Sequence, residues 1–418
     1  MDILESKNKG GVGTVGFHMD AIILCAGKST RTYPLTMTRP KPLLRAANKT
    51  VLEHTFEQLD GLVEKVVLVI GYRKEMIIDF VENNLKNKYK IKVEFVEQKK
   101  QLGTGHAVLQ AEKYVGDNFL IINGDDFYSR EDIKRILNYD YAMLAKEVDD
   151  CSRFALLSVQ GDKIKDIIEK PKQKAPGLCN IGFYKVKKDV FSIIKTLKKS
   201  EREEYEITDV IKELTKTQDV FYKTVKDYWI PITYAWNLLE ANEFFLGRLK
   251  KSVINGVVEE RATVKGNIVL GKGSIIKNGA YIEGPVVIGE NSIIGPNCYI
   301  RACTTIGDDC KIGNAVEIKN SIIGNHVNVC HLSYLGDSVM GDNINIGAGT
   351  VAANVRLDKK NIQVAVNGDL VDSGRKKLGV IMSDNTQTGI NSSIMPGSTV
   401  NPETHIYPST VVGVDRGG

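Results

Sequence analysis

Every sixth residue from Val258 to Ile318 is aliphatic: Val258, Val264, Leu270, Ile276, Ile282, Ile288, Ile294, Ile300, Ile306, Ile312 and Ile318. Eleven hits in succession exclude chance. A period of six with one inward side chain per repeat builds a parallel β-helix, in which short strands form flat faces and about three repeats close a coil. Stacking the coils buries a ladder of aliphatic side chains. The frame slips by one residue to Ile323, Val329 and Leu335, slips again to Met340 and Ile346, and resumes as Ile394, Val400, Ile406 and Val412.

Chemistry-bearing residues cluster where the register slips. In His331-Leu332-Ser333-Tyr334-Leu335 only Leu335 holds an inward position, which leaves His331 and Tyr334 on outward or edge positions. Arg301, Lys319, Asn345 and Asn354 fall on neighbouring coils and make a polar, cationic set around one imidazole. His326 has no such company and reads as a surface imidazole. The repeat by itself is equally compatible with a pure scaffold or assembly prism.

Ahead of the repeat the pattern is different. Apolar runs at Ala21–Leu24, Val66–Ile70, Val93–Val96 and Phe119–Ile122 alternate with helical patterns over 73–85 and 105–114, which predicts an α/β domain with a mostly parallel sheet. The first run breaks into Cys25-Ala26-Gly27-Lys28-Ser29-Thr30-Arg31, a polar loop at a strand's carboxyl end, where backbone N–H groups can face phosphate. A plain strand-to-helix turn is the alternative. Thr38-Arg39-Pro40-Lys41-Pro42 then fixes a lysine between two prolines that hold the chain extended. Arg31 and Lys41 together can grip a triphosphate, the electrostatic help that nucleotidyl transfer chiefly needs. After the third strand, Gln98 and Gln101 can read a base edge, and Gly103 lets a base approach the backbone beside Thr104. After the fourth, Asn123-Gly124-Asp125-Asp126 puts carboxylates where Mg²⁺ would meet phosphate oxygens.

With 56 basic and 51 acidic residues the net charge of +5 is close to balanced, so the chain as a whole carries no nucleic-acid footprint. Seven cysteines, odd in number and without a Cys-x-x-Cys pair, argue against a disulfide framework and a zinc site and favour a reducing cytoplasm. No run approaches the ~20 apolar residues of a membrane span. Residues 1–18 read as a flexible extension ahead of a second candidate start at Met19.

The ordered motifs Gly-x-x-Thr-Arg, Arg-Pro-Lys-Pro-Leu, Gln-Leu-Gly-Thr-Gly and Gly-Asp resemble the sugar-1-phosphate nucleotidylyltransferases. That resemblance implies that Arg31 and Lys41 bind the nucleotide phosphates, that Ala26, Gly27, Gln98, Gln101, Gly103 and Thr104 hold the nucleotide, and that Asp125 binds Mg²⁺. Glu169-Lys170-Pro171 and Asn180-Ile181-Gly182 resemble the family's sugar segments, with Glu169 and Asn180 on sugar hydroxyls and Lys170 on the sugar phosphate. Ser29 and Ala155 stand where glycines are common, and Pro231 stands where a second metal ligand is expected.

His-Leu-Ser-Tyr-Leu-Gly-Asp and Gly-Asp-Asn-Ile-Asn-Ile-Gly-Ala-Gly-Thr resemble the acetyltransferase half of the bifunctional glucosamine-1-phosphate N-acetyltransferase/N-acetylglucosamine-1-phosphate uridylyltransferases, and the segment after Asn354 resembles their archaeal members. The resemblance implies a Rossmann-like nucleotidyltransferase domain followed by a left-handed β-helix of hexapeptide repeats. It implies His331 as general base, Arg301 and Lys319 on the sugar phosphate, Tyr334, Asn345 and Asn354 at the amino sugar, Lys360 as a second functional lysine, and the Ala348 N–H beside acetyl-coenzyme A. The co-substrates would be acetyl-coenzyme A and UTP or dTTP, the assembly a homotrimer, and the partners small molecules, with neither nucleic acid nor membrane. The expected organisation is 19–235 for the nucleotidylyltransferase domain, 236–252 for a linker helix and 253–418 for the β-helix. Two alternatives remain: nucleotidyl transfer alone with the β-helix as prism, or a coenzyme A or sugar-phosphate sensor.

Overall fold

The computed structural model describes residues 19–172 and 174–413, so the extension assigned to 1–18 lies outside the described residues. The apolar runs of the first part become adjacent strands. Asp20–Cys25 lies between Lys65–Ile70 and Asn118–Asn123, and Lys92–Glu97 flanks Lys65–Ile70, all parallel. Because these strands share one direction, the loops after Cys25, Glu97 and Asn123 open on the same edge, where a crevice forms.

Most of the remainder of the nine-stranded sheet is antiparallel, against the mostly parallel arrangement expected, although Phe221–Thr224 runs parallel to Ala142–Val148. Gly177–Lys187 runs antiparallel to Asn118–Asn123, to Ala142–Val148 and to Ala155–Gln160, and Lys163–Glu169 is antiparallel to both of its neighbours. The physical reason lies in the connections. Only one residue run, Gly161-Asp162, separates Ala155–Gln160 from Lys163–Glu169, too short for the crossover that parallel strands require. The sheet's continuation also overturns a cysteine expectation: Cys151 and Cys179 form a disulfide, their Cα atoms 6.2 Å apart. An odd cysteine count could not reveal it, because the pair is local to two segments that meet only through sheet pairing.

The helix Asn237–Gly247 leads to the first β-helix strand, Val253–Ile254. Three parallel eight-stranded sheets follow, one strand of each per coil. The register makes the slips explicit. Val257 pairs with Ile275, eighteen residues on, whereas Ile312 pairs with Val329 and Val329 with Ile346, seventeen on. Shortening two coils by one residue keeps the ladder inward: Leu270, Ile294, Ile318, Leu335 and Ala352 are all fully buried. Between Met340 and its ladder partner Met382 the chain leaves the coil and forms the hairpin Gln363–Val366/Asp369–Asp372. That excursion explains the gap in the repeat, and Met382 and Thr388 resume the ladder before Ile394.

The excursion does not hang in solvent. Ile362, Val364, Val366 and Leu378 share one buried cluster with Leu35, Leu44, Tyr228, Ile230, Trp236 and Leu238 from the α/β part, and with Ile322, Val339 and Ile381 of the β-helix. The two parts are therefore packed through a common core.

Candidate active sites

The crevice at the strand ends contains a cavity of about 300 Å³ lined by Ala26, Gly27, Lys41, Gln98, Gln101, Gly103, Thr104 and Asp125. A second, of about 270 Å³, is lined by Arg31, Glu169, Lys170, Asn180 and Pro231. Lys41, Thr104, Asn123 and Asp125 line both, so the two are compartments of one cleft. All the residues expected at a nucleotide and at a sugar phosphate are brought together there.

Local geometry fixes most of them. Lys41 is buried and its Nζ donates to Asp125 Oδ2 at 2.8 Å. Gln98 is buried and donates to the Gly103 carbonyl at 3.1 Å, while Gln101 donates to the Ala26 carbonyl at 2.6 Å, tying two loops of the nucleotide compartment to each other. Gly103 has φ 104°, and a Cβ there would sit 2.6 Å from the Tyr205 carbonyl oxygen, so glycine is required on both counts. Ser29 adopts a left-handed conformation, φ 53°, and so takes the backbone shape for which a glycine is common. Arg31 is exposed at the rim.

In the sugar compartment, Glu169 accepts from Thr208 Oγ1 at 3.0 Å, and Asn180 bridges the Tyr184 hydroxyl at 2.6 Å and the Gly182 N–H at 2.9 Å. Sequence reasoning missed Arg202 and Glu206 on this wall. They sit in Glu201-Arg202-Glu203-Glu204-Tyr205-Glu206, which reads as a solvated charge run, yet Glu206 is buried, and burial with the Glu169 carboxylate beside it pushes its carboxyl up to about 7.

Among the described residues no group of three or more His, Cys, Asp or Glu is arranged to hold a metal. Asp126 is committed elsewhere: it accepts from Trp229 Nε1 at 3.1 Å and Ile232 N at 3.2 Å, and burial followed by repulsion from Asp125 pushes it up to about 7. Pro231, opposite Asp126 in the short ribbon, offers no side-chain oxygen. Of the two aspartates that follow the fourth strand, Asp125 remains. That donor set fits Mg²⁺, which commonly takes one or two carboxylates and completes its shell with phosphate oxygens and water.

On the β-helix, Asp337 is the organiser. Its buried carboxylate accepts from Lys319 Nζ at 3.0 Å, Asn354 Nδ2 at 2.5 Å and Asn320 Nδ2 at 2.8 Å. Tyr334 lies against the same group: its phenol is pushed up by burial and then by Asp337. Sequence reasoning misses Asp337 as an organiser; the available signal is a carboxylate directly after the repeat glycine Gly336. Arg301 pairs with Glu317 at 2.9 Å. Tyr334 follows Glu317 on one sheet face, whereas Asn345 belongs to another face, and His331 ends the strand that pairs with Asn345's. Counting three residues from the Asn328–Asn345 pair places Ala348 one coil above His331. His331 and Asn345 are exposed. Lys360 lies on the excursion, in a cavity with Arg356, Lys359, Gln363 and Lys376, next to the one that holds Lys319, Lys376 and Lys377. Within one protomer the expected acetyl-transfer set thus divides into a cluster on Asp337, an open face with His331 and Asn345, and a lysine-rich strap.

The model of the nucleotidyl transferase family matches residues 20–247, and that of the GMPPB C-terminal domain matches 282–376. The bifunctional protein GlmU of Methanocaldococcus jannaschii is 41% identical over 398 residues, covering 95% of each chain. The bifunctional sugar-1-phosphate nucleotidylyltransferase/acetyltransferase of Sulfurisphaera tokodaii is 38% identical over 407 residues, covering 96% of this chain and 98% of its own. A solved putative glucose-1-phosphate thymidylyltransferase of Bacillus anthracis superposes with a TM-score of 0.50 at 28% identity, over 54% of this chain and 94% of its own. The cleft and the β-helix sites therefore lie on a chain that belongs to the nucleotidyl transferase family and, over nearly its whole length, to the bifunctional sugar-1-phosphate nucleotidylyltransferase/acetyltransferase proteins.

Proposed function

We propose that the chain performs two consecutive steps of UDP-N-acetylglucosamine synthesis. The β-helix acetylates glucosamine-1-phosphate, and the α/β domain transfers a uridylyl group to the product with release of pyrophosphate. The observation that carries the second step is the continuous cleft. It runs from the Gln98–Gln101 compartment, past Lys41 and Asp125, to Glu169 and Asn180, which gives a nucleotide and a sugar phosphate one compartment each. There the sugar-phosphate oxygen attacks the α-phosphorus, the bond to the pyrophosphate oxygen breaks, and Arg31 and Lys41 balance the charge that builds on the leaving group. Lys170 holds the sugar phosphate. Asp125 would hold Mg²⁺, which when bound would supply charge neutralisation at the phosphates.

For the first step, the sugar amine attacks the thioester carbonyl of acetyl-coenzyme A. His331 accepts the amine proton, the Ala348 N–H stabilises the oxyanion, and the C–S bond breaks to release the coenzyme A thiolate, which takes the proton from the His331 imidazolium and departs as the thiol. Lys319 and Arg301 hold the phosphate, while Tyr334, Asn345 and Asn354 orient the sugar and Lys360 adds a cation from the strap. Galactosamine-1-phosphate is a second candidate substrate, and dTTP a second nucleotide.

The working form is a homotrimer in the cytoplasm. His331 and Asn345 stand on an open face beside Leu332, which is 64% exposed, and the next coils expose Val351, Ile390, Met395, Tyr407 and Val411. A second copy covering these apolar residues would close the acetyl site. A monomer mass by light scattering would refute the trimer. Pyrophosphate release is measured with UTP and dTTP against the N-acetylated sugar 1-phosphates, and thiol release with each amino-sugar 1-phosphate. Silence across either panel removes that half of the assignment.

A further inference from the structure

The loop that carries Lys41 is fastened to the β-helix. Arg39, two residues before Lys41 and joined to it through Pro40, has a side chain only 13% exposed. Its Nη2 donates to Asp342 Oδ2 at 2.9 Å and to Asp384 Oδ1 at 2.6 Å, two carboxylates on consecutive coils of the same β-helix turn. Both acceptors are themselves held. Asp384 Oδ1 accepts from the Asp342 N–H at 2.7 Å, and Asp342 Oδ1 accepts from the Asn325 N–H at 2.7 Å and from Arg45 at 3.2 Å. Burial pushes the Asp342 carboxyl up, yet Arg39 and Arg45 hold it below its ordinary value. Alongside, the Ser383 hydroxyl donates to the Pro34 carbonyl at 3.0 Å. The hairpin tip residue Asn367 donates to Thr30 Oγ1 at 3.3 Å, next to Arg31.

With its Nη2 held between two fixed carboxylates, the end of the Arg39 side chain is pinned in place. Pro40 and Pro42 stiffen the chain on both sides of Lys41, and the short helical turn Lys41–Leu43 begins there. A shift of Arg39 is therefore passed to Lys41 instead of being absorbed between them.

We infer that Arg39 is a positioning residue for nucleotidyl transfer: clamped by Asp342 and Asp384, it sets Lys41 against the phosphates, so that the β-helix forms part of the nucleotidyl site's support. The inference rests on the reading of Lys41 as a phosphate-binding group. It also gives a physical reason, beyond a shared intermediate, for two activities on one chain.

The test is Asp384→Asn, which keeps shape and removes one charge, together with Arg39→Lys, whose stem is one bond shorter and leaves its ammonium short of the Nη2 position between the two carboxylates. Both are assayed in the full-length chain against Lys41→Ala. In Asp384→Asn, kcat for nucleotidyl transfer should fall about ten- to a hundredfold, the cost of a misplaced catalytic group. KM for the nucleotide should change by less than about threefold and acetyl transfer should be unaltered, which also reports that the β-helix is folded. Arg39→Lys should lose kcat to a similar degree. Native kcat in both variants overturns the inference while leaving the functional reading intact, provided Lys41→Ala is impaired. If Lys41→Ala transfers normally, both fail. A rise in KM without loss of kcat would also overturn it.

Discussion

Asn242 is the polar keystone of the junction between the two parts, and its removal has a calculable cost. The residue is fully buried on the connecting helix. Its Oδ1 accepts from the Ala47 N–H at 2.9 Å and the Thr305 hydroxyl at 2.6 Å, and its Nδ2 donates to the Cys303 carbonyl at 2.8 Å. Asn242→Ala leaves a backbone donor, a backbone acceptor and a hydroxyl without partners in a dry place. At about 1 to 3 kcal/mol for each stranded backbone group and about 1 kcal/mol for a hydroxyl free to rotate, the junction should lose about 3 to 7 kcal/mol. Unfolding of a chain with several packed parts need not be two-state, so a local readout is preferable. Hydrogen exchange at residues 44–50 and 303–306 should accelerate by roughly a hundredfold or more, since each 1.4 kcal/mol is a factor of ten. Exchange accelerated less than about tenfold in both segments would show that the junction does not depend on this side chain.

His54 is buried between Phe127 and Phe245, and burial lowers it to about 4 from an ordinary 6.5. A depressed histidine contributes stability that is intact above pH 6.5 and lost as pH falls toward 4, here roughly 3 kcal/mol; His54→Gln should flatten that loss in unfolding midpoints taken from pH 7 to 4, and parallel curves would refute it. Glu206 has the opposite sign. Its carboxyl is raised to about 7, so its contribution is complete at acid pH and is lost as pH rises through 7, and Glu206→Gln should raise the unfolding midpoint above pH 7 more than at pH 5. Gly182 has φ 76°, and a Cβ there would lie 2.0 Å from Asn123 Nδ2. Gly182→Ala should displace Asn123 in the cleft and slow nucleotidyl transfer by about tenfold or more, with acetyl transfer untouched.

The sequence announced the solenoid because its ladder is one-dimensional: a period of six survives two one-residue slips, and Leu335 and Met340 can be placed by counting. The cleft was legible for a related reason, since Lys41, Gln98 and Asp125 all follow strand ends and parallel strands bring such ends together. What stayed hidden depends on contacts between distant segments. The antiparallel half of the sheet, the Cys151–Cys179 disulfide and the burial of Glu206 each need pairing that no local pattern encodes. Asp337 was invisible as an organiser because its three donors, Lys319, Asn320 and Asn354, come from other coils. Arg39 reads as part of a proline-rich loop until Asp342 and Asp384, some three hundred residues away, are found beside it.

Two chemically separate sites on one chain should give two separable rates. Thiol release from acetyl-coenzyme A with glucosamine-1-phosphate, and pyrophosphate release from UTP with N-acetylglucosamine-1-phosphate, are measured in the native chain, in His331→Ala and in Lys41→Ala. His331→Ala should lose thiol release by about a hundredfold or more and keep pyrophosphate release, and Lys41→Ala should do the reverse. Thiol release that persists in His331→Ala, or pyrophosphate release that persists in Lys41→Ala, would contradict that separation.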